Sequence, residues 1–158
     1  MRHKKWMVPA ILIMITALFT LAFFQYREVP GIECHANVRV FKDNVELKVL
    51  FSYSIKAGSG VANVSGSLIT EGKITGRISR VTTFSYVQKG KVYSLQSNNA
   101  VKSNLDTLDN ATLGQYLPAF YLENATHLIL TIVPQNNSGW VFSTGKVPSF
   151  FCEKSHTS

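Results

Sequence analysis

Residues 45–55 read VELKVLFSYSI, and this stretch decides the fold. Val45, Leu47, Val49, Phe51, Tyr53 and Ile55 fall on one parity, and Glu46, Lys48, Ser52 and Ser54 on the other. Period-two alternation over eleven residues is the pattern of a half-buried β-strand. Working back, Ala36, Val38 and Val40 alternate with His35, Asn37 and Arg39, and Lys42-Asp43-Asn44 has turn chemistry, so the first two strands form a hairpin. Working forward, 56–60 (KAGSG) is a flexible turn, and 61–70 is a strand rich in small residues (Ala62, Ser65, Gly66, Ser67). Small residues there predict a bulge or the close approach of another element. Glu71-Gly72-Lys73 turns the chain into a long β-prone run, 74–88, with Ile74, Ile78, Phe84 and Tyr86 on one parity. Lys89-Gly90 then leads into a strand over 92–97, so turn chemistry alone signals three successive hairpins.

The second half is less regular. Residues 98–109 are polar and read as a loop. Asp109 or Asn110 can cap a short helix over 111–117, which Pro118 ends, and AFYL (119–122) continues it for another turn. THLILTIV (126–133) is apolar on both faces and reads as a central strand; 140–143 pairs back on it, and 149–152 follows Pro148. Residues 153–158 read as a polar tail. The expected domain has seven or eight mainly antiparallel strands and one short helix, curled into a small barrel or packed on the helix.

Ahead of this domain lies WMVPAILIMITALFTLAFF, residues 6–24, without a charge for nineteen positions. A helix of that length spans roughly 28 Å, close to the thickness of a bilayer core. Arg2, Lys4 and Lys5 precede it, and Arg27 with Glu28 follow, so the positive-inside bias places the N-terminus in the cytoplasm. Bulky residues stand where a signal-peptidase site needs small ones, which favours an uncleaved anchor. The expected organisation is a cytoplasmic N-terminus (1–5), a transmembrane helix (6–26) that makes the lipid bilayer a partner, and a periplasmic β-rich domain (27–158).

The chain carries 16 Lys and Arg against 9 Asp and Glu, a net charge of +7, and three of those charges belong to the N-terminal topology signal. The remaining cations are scattered (Arg39, Lys48, Arg77, Arg80 among them) and read as solvent-facing. An exported domain with no dense basic cluster has no call for nucleic acid. Cys34 and Cys152 bracket the domain, and two cysteines in an oxidising compartment predict one disulfide stapling the first strand to the last.

Catalytic and metal motifs are missing. His35 and His127 have no ligand spacing between them, no G-x-S-x-G occurs, and Gly58-Ser59-Gly60 lacks the Lys of a phosphate loop. The expectation is a non-enzyme without cofactor or metal. Four Asn-x-Ser/Thr sequons (Asn63, Asn110, Asn124, Asn136) would matter only in a glycosylating host. Aromatic residues are numerous. Most are expected in the core, while Phe51, Tyr53, Phe84, Tyr86 and Trp140 are the candidates for a small apolar pocket or a partner interface.

The layout of MRHKKW, one apolar span and an exported β-rich domain resembles the FidL-like family of inner-membrane proteins of enteric bacteria, over essentially the whole chain. The resemblance rests on layout and carries no residue-level role. It implies a ToxS-like companion that binds and stabilises a ToxR-type membrane-bound regulator from the periplasmic side. In related pairs the two periplasmic domains build a shared barrel that can hold a bile-salt-like ligand. A stand-alone envelope sensor or scaffold is the alternative.

Overall fold

In the computed structural model the described residues are 31–145 and 147–155, with Met14 and Thr16 of the N-terminal segment. Met14 and Thr16 are helical and exposed. The expected cytoplasmic N-terminus and the 6–26 span otherwise lie outside the described residues, among which no helix is long and apolar enough to cross a membrane.

Eight strands follow one another: β1 Ile32–Lys42, β2 Val45–Lys56, β3 Ser59–Thr70, β4 Lys73–Lys89, β5 Val92–Lys102, β6 His127–Gln135, β7 Gly139–Thr144 and β8 Val147–Lys154. Each pairs antiparallel with the next, and β8 returns to β1, so the sheet closes into an up-and-down barrel. The tight hairpins have the backbone their turns require. Ala57 and Gly58 have φ of 51° and 84°, and Glu71 and Gly72 have 51° and 77°. Two successive positive φ values make the primed turn whose twist matches antiparallel strands, and glycine takes the second position without strain.

Side chains of one parity fill the barrel. Cys34, Ala36, Leu47, Val49, Phe51, Tyr53, Ala62, Val64, Ile78, Phe84, Leu95, Leu130, Ile132 and Phe142 are all buried. Between β5 and β6 the segment 103–126 enters one part of the interior as a plug. It carries helix α1 (Asn110–Leu113), capped by Asp109, and a single 3-10 turn, Ala119–Tyr121. Leu108, Leu113, Leu117, Phe120, Tyr121 and Leu122 of this segment are buried. Leu108 packs onto Gly76, where a Cβ would lie 2.3 Å from the leucine Cδ2.

The structure corrects five expectations. Strand β5 runs on to Lys102 where a loop was expected from residue 98, because the β4–β5 ladder shifts register between Thr83 and Phe84 and then continues. The helix stops at Leu113 and a separate 3-10 turn covers only Ala119–Tyr121, shorter than the apolar pattern suggests. Strand β6 is not central: a closed barrel has only an inside and an outside, and Ile129 is exposed on the outside. Glu153 and Lys154 are not tail but pair with β1, and the Ser155 N–H donates to the Glu33 carbonyl at 3.0 Å. Arg80 is not solvent-facing but 3% exposed, for it shares the inward parity of Ile78 and Thr82.

Candidate functional site

The ladders are unequal. β1 through β5 are joined along ten to twelve register pairs each, whereas β8 meets β1 only at Cys34↔Lys154 and His35↔Glu153. The Cys34–Cys152 disulfide sits at this short closure, with a Cα–Cα separation of 5.4 Å, and a His35–Glu153 pair at 3.8 Å lies beside it. The expected staple between first and last strand is therefore present. Beyond it, among the described residues, the backbone of 36–42 has no partner on the β8 side.

An apolar cavity of about 210 Å³ occupies this parting. Val38 and Val40 of β1 form one wall, Ser149 and Phe150 of β8 the opposite one, and Leu128 and Leu130 of β6 the floor, with Phe51 of β2 and Thr144 of β7 alongside. The plug supplies Tyr116, Leu117, Pro118 and Tyr121. Polar groups are few: Thr144 and Ser149 hydroxyls lie 2.9 Å apart, and the Thr144 N–H donates to Ser149 Oγ at 3.2 Å, which leaves the phenols of Tyr116 and Tyr121. Lys42 straps the plug to the end of β1, 6.0 Å above the Tyr116 ring and bonded to Gln115 Oε1 at 3.4 Å. A few polar groups on an apolar concavity is the ordinary composition of a small-molecule site.

Behind the cavity lies an aromatic stack. Phe51 and Phe150 are parallel at 5.5 Å, Tyr53 and Phe142 are tilted at 5.0 Å, and Tyr121 leans on Phe51 at 5.2 Å. Within it Tyr53 Oη and Tyr121 Oη are 2.6 Å apart. Burial raises Tyr53 well above the usual phenol range, and its neighbour Tyr121 raises it further. Burial also lifts Tyr121, to about 12, although the bond to Tyr53 pulls it down. Both phenols are neutral at any ordinary pH.

The plug is fixed by a buried ionic knot. Arg80 Nε donates to Asp106 Oδ2 at 2.8 Å, Nη2 donates to the Leu108 carbonyl at 3.0 Å, and Nη1 donates to Asn110 Oδ1. Asp106 also accepts from the backbone N–H of Ser79 at 3.1 Å and of Leu108 at 2.9 Å. Charges buried with every partner in place hold geometry well, whatever their net contribution to stability.

Of the five aromatic candidates, the cavity takes one. Phe51 lines it, and Tyr53 stands behind. Phe84 is buried against Phe120 elsewhere in the core, Tyr86 meets Tyr93 beside a separate surface hollow, and Trp140 lines another small hollow with Pro134 and Lys154. Sequence reasoning missed the aliphatic walls Val38, Val40, Leu128 and Leu130, whose alternation was visible but whose facing was not. Among the described residues no group of three His, Cys, Asp or Glu could hold a metal ion.

Fold and cavity together define the class: a single-chain, up-and-down antiparallel barrel with an internal plug and an apolar side cavity. The chain belongs to the YqeJ C-terminal domain family, whose family model matches residues 31–152. That match takes in all of β1 to β7 and β8 as far as its disulfide cysteine. Neither the curated proteins nor the solved structures gave a match.

Proposed function

We propose that the barrel is the periplasmic binding domain of a single-pass inner-membrane accessory protein, of the FidL-like and ToxS-like kind. It binds and stabilises the exported domain of a ToxR-type membrane-bound transcription regulator, with a small apolar ligand in the seam cavity. One observation carries this reading: the apolar cavity and the unpaired edge of β1 coincide at the same parting. A strand edge free on one side can accept a partner's strand, and its alternate side chains then meet the cavity. The uncharged run at 6–24 and the basic residues before it support the anchor and its direction.

Closure of the barrel within one chain favours a second reading, a stand-alone envelope sensor, because no partner strand is needed to complete the core. Photo-cross-linkers at Asn37 and Phe41, exposed on β1, separate the two. The full-length protein is expressed from its own locus and the adducts are identified. Capture of one transmembrane transcription regulator, absent when the cross-linker sits at Ser94 on β5, supports the accessory role. Capture of only the protein itself or cell-wall material overturns that role and leaves the stand-alone sensor.

A further inference from the structure

The aromatic stack contains one hydroxyl hydrogen too many. Tyr53 and Tyr121 are each 3% exposed, and their oxygens bond only to one another. Two phenols carry two hydrogens, and a single bond between them uses one. Among the described residues neither oxygen has a second hydrogen-bond partner, so one donor is left over. A buried donor without an acceptor is destabilising, and native interiors leave few of them. Tyr121 lines the cavity and Tyr53 does not. Either oxygen can be the donor; when Tyr53 donates to Tyr121, the free hydrogen belongs to the one of the two residues that lines the cavity.

We propose that the seam cavity takes a small neutral molecule carrying one hydrogen-bond acceptor, a carbonyl, ether or hydroxyl oxygen, which receives the Tyr121 hydroxyl hydrogen. The inference rests on the reading of the cavity as a ligand site and adds the chemistry of the ligand. Size follows from volume. An enclosed cavity of 150 Å³ holds benzene, so about 210 Å³ open at one side suits a ligand that inserts roughly eight non-hydrogen atoms. Neutrality follows from the lining, which is uncharged throughout; Lys42, over the Tyr116 ring, is exposed and already bonded to Gln115, so a carboxylate inside would lose hydration for little return. Specificity would then come from one oriented donor in an apolar setting, because an analogue lacking the acceptor leaves that donor unpaired.

The test uses two probes of one shape, cyclohexanone and methylenecyclohexane, which differ by an oxygen for a CH₂. The full chain is held in phosphatidylcholine nanodiscs, and binding is read from the methyl resonances of Val38, Val40, Leu128 and Leu130. Partition of the probes into lipid cancels when variants are compared. Tyr121→Phe is expected to weaken cyclohexanone about tenfold while methylenecyclohexane changes less than about threefold. Tyr53→Phe leaves the Tyr121 donor in place and keeps the preference. An unchanged ratio in Tyr121→Phe overturns the inference and leaves the cavity a ligand site. Failure of both probes to move the wild-type methyls overturns the ligand site as well. A second measurement needs no variant: the Tyr121 Cζ resonance of the wild type should shift with the ketone and not with the alkene, and equal shifts would again overturn the inference.

Discussion

Asp106→Ala should cost about 4 kcal/mol of stability, more than most single substitutions. The carboxylate is wholly buried and faces Arg80, itself 3% exposed. Its removal leaves a buried guanidinium without its counter-ion, and breaking such a pair from one side costs on the order of 3–5 kcal/mol. The N–H groups of Ser79 and Leu108 lose their acceptor in the same step. Arg80 keeps the Leu108 carbonyl and Asn110, and Lys102, 3.8 Å from the carboxylate, is nearly half exposed and can turn to water, so the loss stays within that range. Arg80→Met alone should cost about as much, since the carboxylate is then left buried. The double variant should cost less than the two singles added, by about 2 kcal/mol or more, because neither charge is stranded. Urea unfolding of the three variants, with the disulfide intact, measures the cycle. Amide exchange adds location: Leu113, Tyr121 and Leu122 of the plug, whose N–H groups are hydrogen-bonded, should lose protection before the strands β2 to β4. A single variant within 1 kcal/mol of wild type, or a double that equals the sum, refutes the account of the knot as a coupled buried pair.

Removing the disulfide by replacing Cys34 and Cys152 with Ala should cost up to about 5 kcal/mol on the chain-entropy view, from a closed loop of 118 residues, with amide exchange rising first at β1 and β8; equal protection at that seam would show that the ladder holds without the staple. Gly66→Ala places a Cβ 2.0 Å from the Lys48 carbonyl oxygen, backbone that cannot step aside, so a loss of about 1–3 kcal/mol is expected in denaturant unfolding, and a neutral result would mean that β2 and β3 separate easily there. Tyr121, with its pKa raised to about 12 in the folded chain, contributes stability that is fully present below pH 10 and lost as pH rises to 12, since the unfolded phenol ionises first; the fall is about 3 kcal/mol, Tyr53 adds to it, and thermal unfolding from pH 9 to 12 should show it, while Tyr121→Phe should make the fall smaller and leave the part due to Tyr53.

Much of the barrel could be read from residues 32–97, because alternation and turn chemistry are local. Each strand from β1 to β5 carries its own period, and Gly58 and Gly72 mark turns that only certain residues permit. The parity of β4 also contained Arg80, two positions from Ile78, and charge alone made it look external. What the sequence could not show is that Asp106, 26 residues on, would return to meet it. The plug was visible only as polar and apolar fragments, since its order comes from that knot and from burial and not from any period. The cavity was illegible for a related reason. Val38 and Phe150 both line the cavity because the ladder between β1 and β8 stops, and the end of a ladder has no signature in either strand.

The stop has a physical origin in the plug. Segment 103–126 leaves the barrel wall after β5 and rejoins it at β6, so β5 and β6 share only Val92 to Gln96 against His127 to Thr131. The strands that follow are shorter than those before, and β8 reaches β1 with two register pairs where β1 and β2 share eleven. A barrel so built has a stiff half, β1 to β5, and a lightly tied half, β6 to β8. The cavity lies where the second half meets the first, closed by one disulfide and one lysine strap. Segments with few cross-links open at lower free energy than the global fold, and binding sites are drawn from such segments. A ligand that fills the parting gains contacts with both halves at once. It would therefore stabilise the tied half far more than the stiff one, and a partner pairing with β1 would meet a firmer edge once the cavity is filled.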